Sequence, residues 1–460
     1  MAKGQAMGRM LGLLALVVGV AVAAGAALGL RALAGVEARM QTLDLRDLTT
    51  AGAQDCFWIG PVTGTTLNLA FPDSGALYWP AVFRTPLDPG DHLEIAGYFP
   101  QARYLSLHSY LTGGVPYDRL SDSDLSPDPG QVNPFVTAPW RPGQGYTLRV
   151  TGGAPPAIRP PNTLYLGPPG QGDPAPLILR LYAPEGTETG ADLPRVTLVR
   201  ATGERLTGTA MCAALDSARP GTESRRIETP MIAPRAYLDL LDRRGTQPVG
   251  GDWALFWNPR LSVLRLAAPT LARAAGFAAR LGLLPRVWAY YANLDMNYVS
   301  TMIDARQGAL VVLEGQLPRT PARGAGAATE PGIDLRYWSL CTNEGLSSTR
   351  FVDCLLDGQV PVRDLPGQPR HNRIVVSRAD DRPANARADC GVGWLDWGAR
   401  GDGAGNPHLG LLILRNLLPD AGFAQAIQRI PYPGAERATM GPYLPTLTYT
   451  TRAAFEQRGC

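Results

Sequence analysis

The feature that most constrains this chain is an internal echo. Arg103-Tyr104-Leu105-Ser106-Leu107 recurs as Arg336-Tyr337-Trp338-Ser339-Leu340. Upstream, Gly90 stands ten residues before Pro100, and Gly308 stands ten before Pro318. Downstream, Arg119 and Asp122 match Arg350 and Asp353 at a spacing of three. Leu177-Ile178-Leu179-Arg180, followed by Pro184, matches Leu412-Ile413-Leu414-Arg415, followed by Pro419. The two Arg-to-Arg intervals are 77 and 79 residues. Matches in one order at near-equal spacing point to two related modules. Their expected extents are 50–205 and 293–432, with a helical connecting segment at 206–292 and an extension at 433–460.

Each module reads as antiparallel β. His92–Phe99, Arg103–Tyr110 and Leu177–Tyr182 are short, apolar-rich and bounded by Pro or Gly. The chain has 52 Gly and 42 Pro, which suits closely spaced turns. In Arg103–Tyr110, Leu105 and Leu107 share one face, and Tyr104, Ser106, His108 and Tyr110 share the other. Turn signals every ten or so residues favour a β-sandwich or jelly roll. A parallel sheet would need helices inside the modules, and helical periodicity is missing there. Helical signal lies between them, at Ala233–Arg243 and at Pro269–Leu281, the latter with Pro at its start and Gly282 past its end. Arg265, Arg273 and Arg280 would form one polar stripe. That segment is expected to pack on a sheet, with a membrane-surface amphipathic helix as the alternative. Pro321–Gly332, rich in Gly and Ala, reads as an inserted surface loop.

Met10–Leu30 is 21 residues without a charge. At about 1.5 Å per residue such a helix spans roughly 30 Å, the hydrocarbon thickness of a bilayer. Lys3 and Arg9 precede it, which keeps the N-terminus cytoplasmic. The expectation for residues 1–39 is therefore a single-pass transmembrane anchor, or a cleaved signal that releases a secreted protein. Either way the body is extracytoplasmic. Residues 1–39 hold Lys3, Arg9, Arg31 and Arg39 against Glu37, which leaves 39 of the 43 basic and 39 of the 40 acidic residues in the body. An electroneutral body argues against a nucleic-acid partner. In an oxidising compartment six Cys read as a disulfide framework. Cys341 and Cys354 are close enough in sequence to lie across a hairpin. Cys56 with Cys212 and Cys390 with Cys460 complete one of the 15 full pairings that six Cys allow.

Chemical signals are sparse. His92, His108, His371 and His408 are mutually distant, so no short-range zinc pair exists, and no metal or cofactor is expected. The acidic turn holding Asp122, Asp124 and Asp128 lacks EF-hand spacing and suits a plain turn. No Gly-x-Ser-x-Gly elbow and no phosphate loop occur. Tyr104, His108 and Tyr110, which share a strand face, are the candidate ligand-binding residues, together with Asp122 and Asp124. Trp253, Trp257, Trp288, Trp394 and Trp397 could stack on sugars.

Several of these residues carry a family likeness. The first part has Leu87-Asp88-Pro89-Gly90, Ile95, Phe99-Pro100, Arg103-Tyr104 with Ser106, Pro127-Asp128-Pro129-Gly130 and Asn133-Pro134-Phe135. The later part has Tyr290 and Tyr291, Asp304, Gly308, Arg336-Tyr337-Trp338-Ser339-Leu340, Gly393-Trp394-Leu395, and Leu414-Arg415 with Pro419. Over most of residues 70–420 the chain resembles bacterial exported proteins built from a paired set of domains of unknown function. The resemblance implies β-rich modules joined by helices and an exported location. It supplies no activity and no catalytic residue. The expected protein is a membrane-anchored, extracytoplasmic β-sandwich protein that binds a ligand, a glycan or an envelope partner. A carbohydrate-active enzyme with a carboxylate pair in an inter-module cleft, or a structural component of an envelope assembly, are the alternatives.

Overall fold

The computed structural model describes residues 40–44, 56–137, 139–168, 175–184, 193–217, 226–244, 250–321 and 330–460. The apolar stretch Met10–Leu30 and most of the loop expected at Pro321–Gly332 lie outside them. Among the described residues no helix is long and apolar enough to cross a membrane.

The chain is mainly β. The first half carries β1 (Met40–Asp44), β2 (Ala76–Phe83), β3 (His92–Tyr98), β4 (Tyr104–Leu111), β5 (Val115–Ser121), β6 (Gly145–Thr151), β7 (Thr163–Tyr165), β8 (Ala175–Tyr182), β9 (Arg195–Val199), β10 (Arg205–Leu206) and β11 (Arg226–Ile232). The second half carries β12 (Ala254–Leu255), β13 (Met296–Asp304), β14 (Leu310–Gln316), β15 (Leu335–Asn343), β16 (Phe351–Leu356), β17 (Val362–Leu365), β18 (Gln368–Ser377), β19 (Gly393–Asp396), β20 (Leu409–Pro419) and β21 (Thr446–Thr450). Helices α1 (Gly208–Ala214), α2 (Pro234–Arg244), α3 (Pro259–Ala267) and α4 (Pro269–Arg280) lie between the halves, and α5 (Glu436–Met440) and α6 (Arg452–Glu456) close the chain.

The first half has one sheet in the order β2-β8-β4-β5 and another in the order β10-β9-β3-β6-β7. The second has β12-β13-β20-β15-β16, and a sheet in which β18, β14 and β21 are neighbours and β19 pairs with β18. Dropping the edge strands β10, β12 and β17 leaves matching orders. Pairing is antiparallel except for β6–β7 and β18–β19, two short parallel pairs that turn signals alone do not reveal. One apolar core takes Ala81, Leu107 and Leu179 from one sheet of the first half and Leu93, Leu148 and Leu198 from the other. The second half repeats this with Val299, Leu340 and Leu414 against Val311, Leu313 and Ile374. Burying each of these Leu, Ile and Val side chains contributes about 1.5–3 kcal/mol.

Three expectations change. First, the extension at 433–460 contributes a strand: β21 hydrogen-bonds along β14 at the edge of a sheet. Second, the polar stripe is broken. Asn258 caps α3 by accepting from the Leu261 N–H, Pro259 and Pro269 open α3 and α4, and Ala268 between the helices leaves helical geometry. Arg265 therefore sits on a different helix from Arg273 and Arg280. The outer side of α4 and the turn after it expose Phe277, Leu281 and Leu283. Third, the match of Asp122 with Asp353 fails in register. Asp122 and Asp357 begin short 3-10 turns directly after β5 and β16. Arg119 opposes His108 where Cys354 opposes Cys341.

The disulfides are Cys56–Cys212, Cys341–Cys354 and Cys390–Cys460, the pairing anticipated above.

Candidate functional site between the two halves

Two features lie where the halves meet: a polar seam and a cavity. The seam is built from the strand faces opposite the cores. Arg103 of the first half donates to Asp357 of the second, and Arg336 of the second donates to Asp122 of the first. Asp122 also accepts from the Leu105 N–H, as Asp357 accepts from the Trp338 N–H. Tyr104 donates to Asp295 at 2.7 Å, and Tyr337 donates to Asp73 at 2.7 Å. Arg180 donates to the Tyr291 carbonyl at 2.6 Å, and Arg415 donates to the Phe71 carbonyl at 2.8 Å. Phe71 and Tyr291 both hold left-handed backbone, φ 55° and 52°. Such a conformation is costly for a bulky residue and persists only where its surroundings enforce it. The N–H of Phe71 donates to the Thr349 carbonyl and that of Tyr291 to the Gly114 carbonyl. Gly114 itself has φ +70°, and a Cβ there would meet the Tyr291 ring at 3.1 Å.

All five candidate binding residues lie on or beside this seam, and none lines the cavity. Tyr104 and Asp122 are committed as above. His108 is fully buried. Its Nε2 accepts from the Leu294 N–H at 3.1 Å, which leaves Nδ1 as the protonated nitrogen, donating to Ser106 Oγ at 3.2 Å. Burial, with Arg180 and Arg119 adding, pushes its imidazole well below the usual value. Tyr110 donates to the Ala292 carbonyl at 3.1 Å. Asp124 pairs with Arg119 and accepts from the Ser121 N–H. Asp73 lies near the sulfurs of Cys341 and Cys354. Those sulfurs are joined in a disulfide, so no thiolate is present to ligate a metal.

The cavity has a volume of about 820 Å³. Strand alternation builds it. Tyr78, Pro80 and Val82 of β2 and Ile178, Arg180 and Tyr182 of β8 form one wall. Tyr298, Ser300 and Met302 of β13 and Leu411, Ile413 and Arg415 of β20 form another. Arg265 of α3 and Ala272, Arg273 and Gly276 of α4 line it from the connecting helices. Ile59, Val62 and Val82 form an apolar cluster with Leu67 and Tyr78, and all five line the cavity. Although the body is electroneutral, Arg180, Arg265, Arg273, Arg415 and Arg437 line the cavity against only Asp252 and Glu436. Both Glu436 oxygens already accept backbone N–H groups, from Leu255 and Gly434. Burial lowers the pKa of Arg265, with Glu436 and Asp252 opposing it. Burial pushes the Tyr78 hydroxyl up to about 12, with Asp73 adding, so it stays a neutral donor.

The five tryptophans do not gather into a sugar platform. Trp253 lines the cavity and donates to the Pro445 carbonyl, while Trp397 is buried and donates to the Leu409 carbonyl. Trp394 donates to Ser377 beneath Arg382, Trp257 donates to the Leu284 carbonyl, and Trp288 lies under Arg286. Sequence reasoning missed Asn293, Arg265 and Arg273 as cavity residues. It noted Arg180 and Arg415 only as parts of a repeat. An arginine inside an apolar strand is itself a signal, because its charge must meet a partner inside.

No family model matches the chain, and no curated protein matches it. Among solved structures, an uncharacterised protein from Burkholderia cenocepacia is similar at 11% identity and a TM-score of 0.45, over 89% of this chain and 86% of that one. An anti-sigma factor domain-containing protein aligns at 6% identity and a TM-score of 0.15, over 86% of this chain and 84% of that one. Both scores are too low to carry a functional argument.

Proposed function

We propose that this chain is an extracytoplasmic ligand-binding protein whose ligand lodges in the cavity between two β-sandwich modules. The observation that carries the reading is the cavity itself. Its volume of about 820 Å³ falls in the range of small-molecule sites, roughly 300–1,000 Å³. Its walls join apolar strand faces to a few inward arginines, the usual composition of such sites. The modules are read as products of a duplication, consistent with the paired domains of the family the chain resembles. Matching strand orders and the reciprocal Arg–Asp and Tyr–Asp contacts support this. Three disulfides suit an oxidising compartment, and Met10–Leu30 would tether the body to the membrane. A carbohydrate-active enzyme would need two available carboxyl groups in the cleft. Glu436 is held at both oxygens by backbone donors, which weighs against that alternative.

The test is a Nile red titration of the full chain in nanodiscs, with Ile178→Trp as the blocked control. Ile178 and its register equivalent Ile413 both line the cavity, so a bulky side chain at residue 178 fills it. One saturable site in the wild type and none in the variant is the expected result. Identical titrations would refute the cavity as a binding site.

A further inference from the structure

The two sides of the seam place their acids differently: Asn293 and Asp295 stand where Asp73 and Gly75 stand opposite, and Asp295 pairs with Arg119 at 2.7 Å. Asp73 and Asn293 each lie five residues before a tyrosine, Tyr78 or Tyr298, whose hydroxyl accepts their backbone N–H. Those tyrosines sit opposite Arg180 and Arg415 in the strand registers. Asp73 Oδ1 accepts from the Gly75 N–H and the Tyr337 hydroxyl. Asn293 Oδ1 accepts from the Asp295 N–H and lies 3.1 Å from the Tyr104 hydroxyl, whose proton goes to the nearer Asp295 carboxylate. The two residues are thus equivalent in position and in the backbone N–H groups they meet, and only one of them is charged.

The consequence falls on the arginines. Arg415 has Asp73 Oδ2 at 3.8 Å from its Nε. Arg180, only 2% exposed, has no carboxylate within ion-pair distance among the described residues. The Tyr78 and Tyr110 rings lie 5.8 and 5.3 Å from its guanidinium carbon. They offer quadrupoles, not a counter-charge. Arg180 Nη1 and Asn293 Nδ2 are both buried and both donate to nothing, and both residues line the cavity. A buried charge without a counter-ion costs several kcal/mol, and a buried amide N–H left without an acceptor costs about 1–3 kcal/mol. Two idle donors, on two residues that line the cavity, call for an acceptor that the chain does not supply.

We propose that the cavity takes an apolar molecule ending in a carboxylate, with the carboxylate on Arg180 and Asn293 and the apolar body against Ile59, Val62, Leu69 and Ile178. This rests on the cavity being a binding site. A carboxylate is the group that Asp73 supplies on the other side. Its two coplanar oxygens match the guanidinium fork. The excess of arginine on the cavity wall favours an anion from farther away.

The test compares dodecanoate with 1-dodecanol by calorimetry on the full chain in nanodiscs, with Ile178→Trp as the blank. Dodecanoate should bind at least tenfold more tightly than the alcohol. Asn293→Asp, which supplies the missing acid internally, should weaken dodecanoate at least tenfold and leave the alcohol unchanged. Arg180→Gln, checked for folding by circular dichroism, should abolish the preference in the same way. Equal binding of acid and alcohol by the wild type would overturn the carboxylate assignment and leave the cavity reading intact. Binding of neither, together with a failed Nile red titration, would overturn both.

Discussion

Arg180 and Arg415 occupy the same register in sheets of the same strand order, yet their surroundings answer one charge in two ways. On the Arg415 side, Asp73 faces the guanidinium and Cys341 Sγ accepts from Nη1 at 2.8 Å. Asp73 is itself held by Tyr337 and Ser339. On the Arg180 side, an amide replaces the acid and His108 stands where Cys341 stands opposite. Its ring is neutral and both nitrogens are already used. One side is internally compensated, and the other leaves buried donors unpaired on two residues that line the cavity. Stability alone would favour compensation on both sides, because an unpaired buried charge is among the costlier features a fold can carry. Retained asymmetry of this kind is expected where function uses the site.

The sharpest way to break this comparison is Asp73→Asn, which makes the compensated side resemble the other. It should lower the unfolding free energy by about 3–5 kcal/mol, the usual cost of removing one partner of a buried pair, as read by urea denaturation. A loss below about 1 kcal/mol would mean that the seam tolerates an unpaired guanidinium freely, and Asn293 would then lose its significance. The next effect in size concerns the cross-strand pair. Replacing Cys341 and Cys354 together with Ser opens a bridge of sequence separation 13. It should cost about 3 kcal/mol by the loop-entropy relation, with ligand binding on the Arg180 side unchanged. Loss of that binding would show that the two sides are coupled.

How much of this was legible follows from which strand faces are buried. β3 and β4 were readable because short apolar runs ended at Pro or Gly. The pairing of Cys341 with Cys354 was readable because a separation of 13 suits a hairpin. Alternation puts Tyr104, His108 and Tyr110 on one face, and in the structure all three meet residues 292–295 of the other half. Alternation tells which side chains point together, not what they point at. The cavity was hidden for a related reason. β8 and β20 bury one face in a core and the other at the cavity, so Leu177-Ile178-Leu179 reads as an unbroken apolar run, as strands covered on both faces do. Asn293 left no local trace at all. It matters only by comparison with Asp73, and that correspondence appears once Tyr78 and Tyr298 are seen opposite Arg180 and Arg415.

The smallest predicted effect separates the two sides by pH. Cys341, bridged to Cys354, does not titrate, whereas its counterpart His108 does. Burial, then the charges of Arg180 and Arg119, hold the His108 imidazole well below its usual value. The folded protein therefore keeps it neutral, while the unfolded chain takes up a proton below about pH 6.5. Stability from this group is fully present above that pH and falls as the pH is lowered toward the folded-state value, by about 1.4 kcal/mol per pH unit. His108→Gln keeps an acceptor near the Leu294 N–H and removes the titration. Urea denaturation of both proteins between pH 5 and pH 7 should give curves that converge as the pH falls, since only the wild type loses this increment. Parallel curves would mean that His108 ionises without penalty in the folded state. The Arg180 side would then already hold a compensating charge, and the contrast between the two arginines would fail with it.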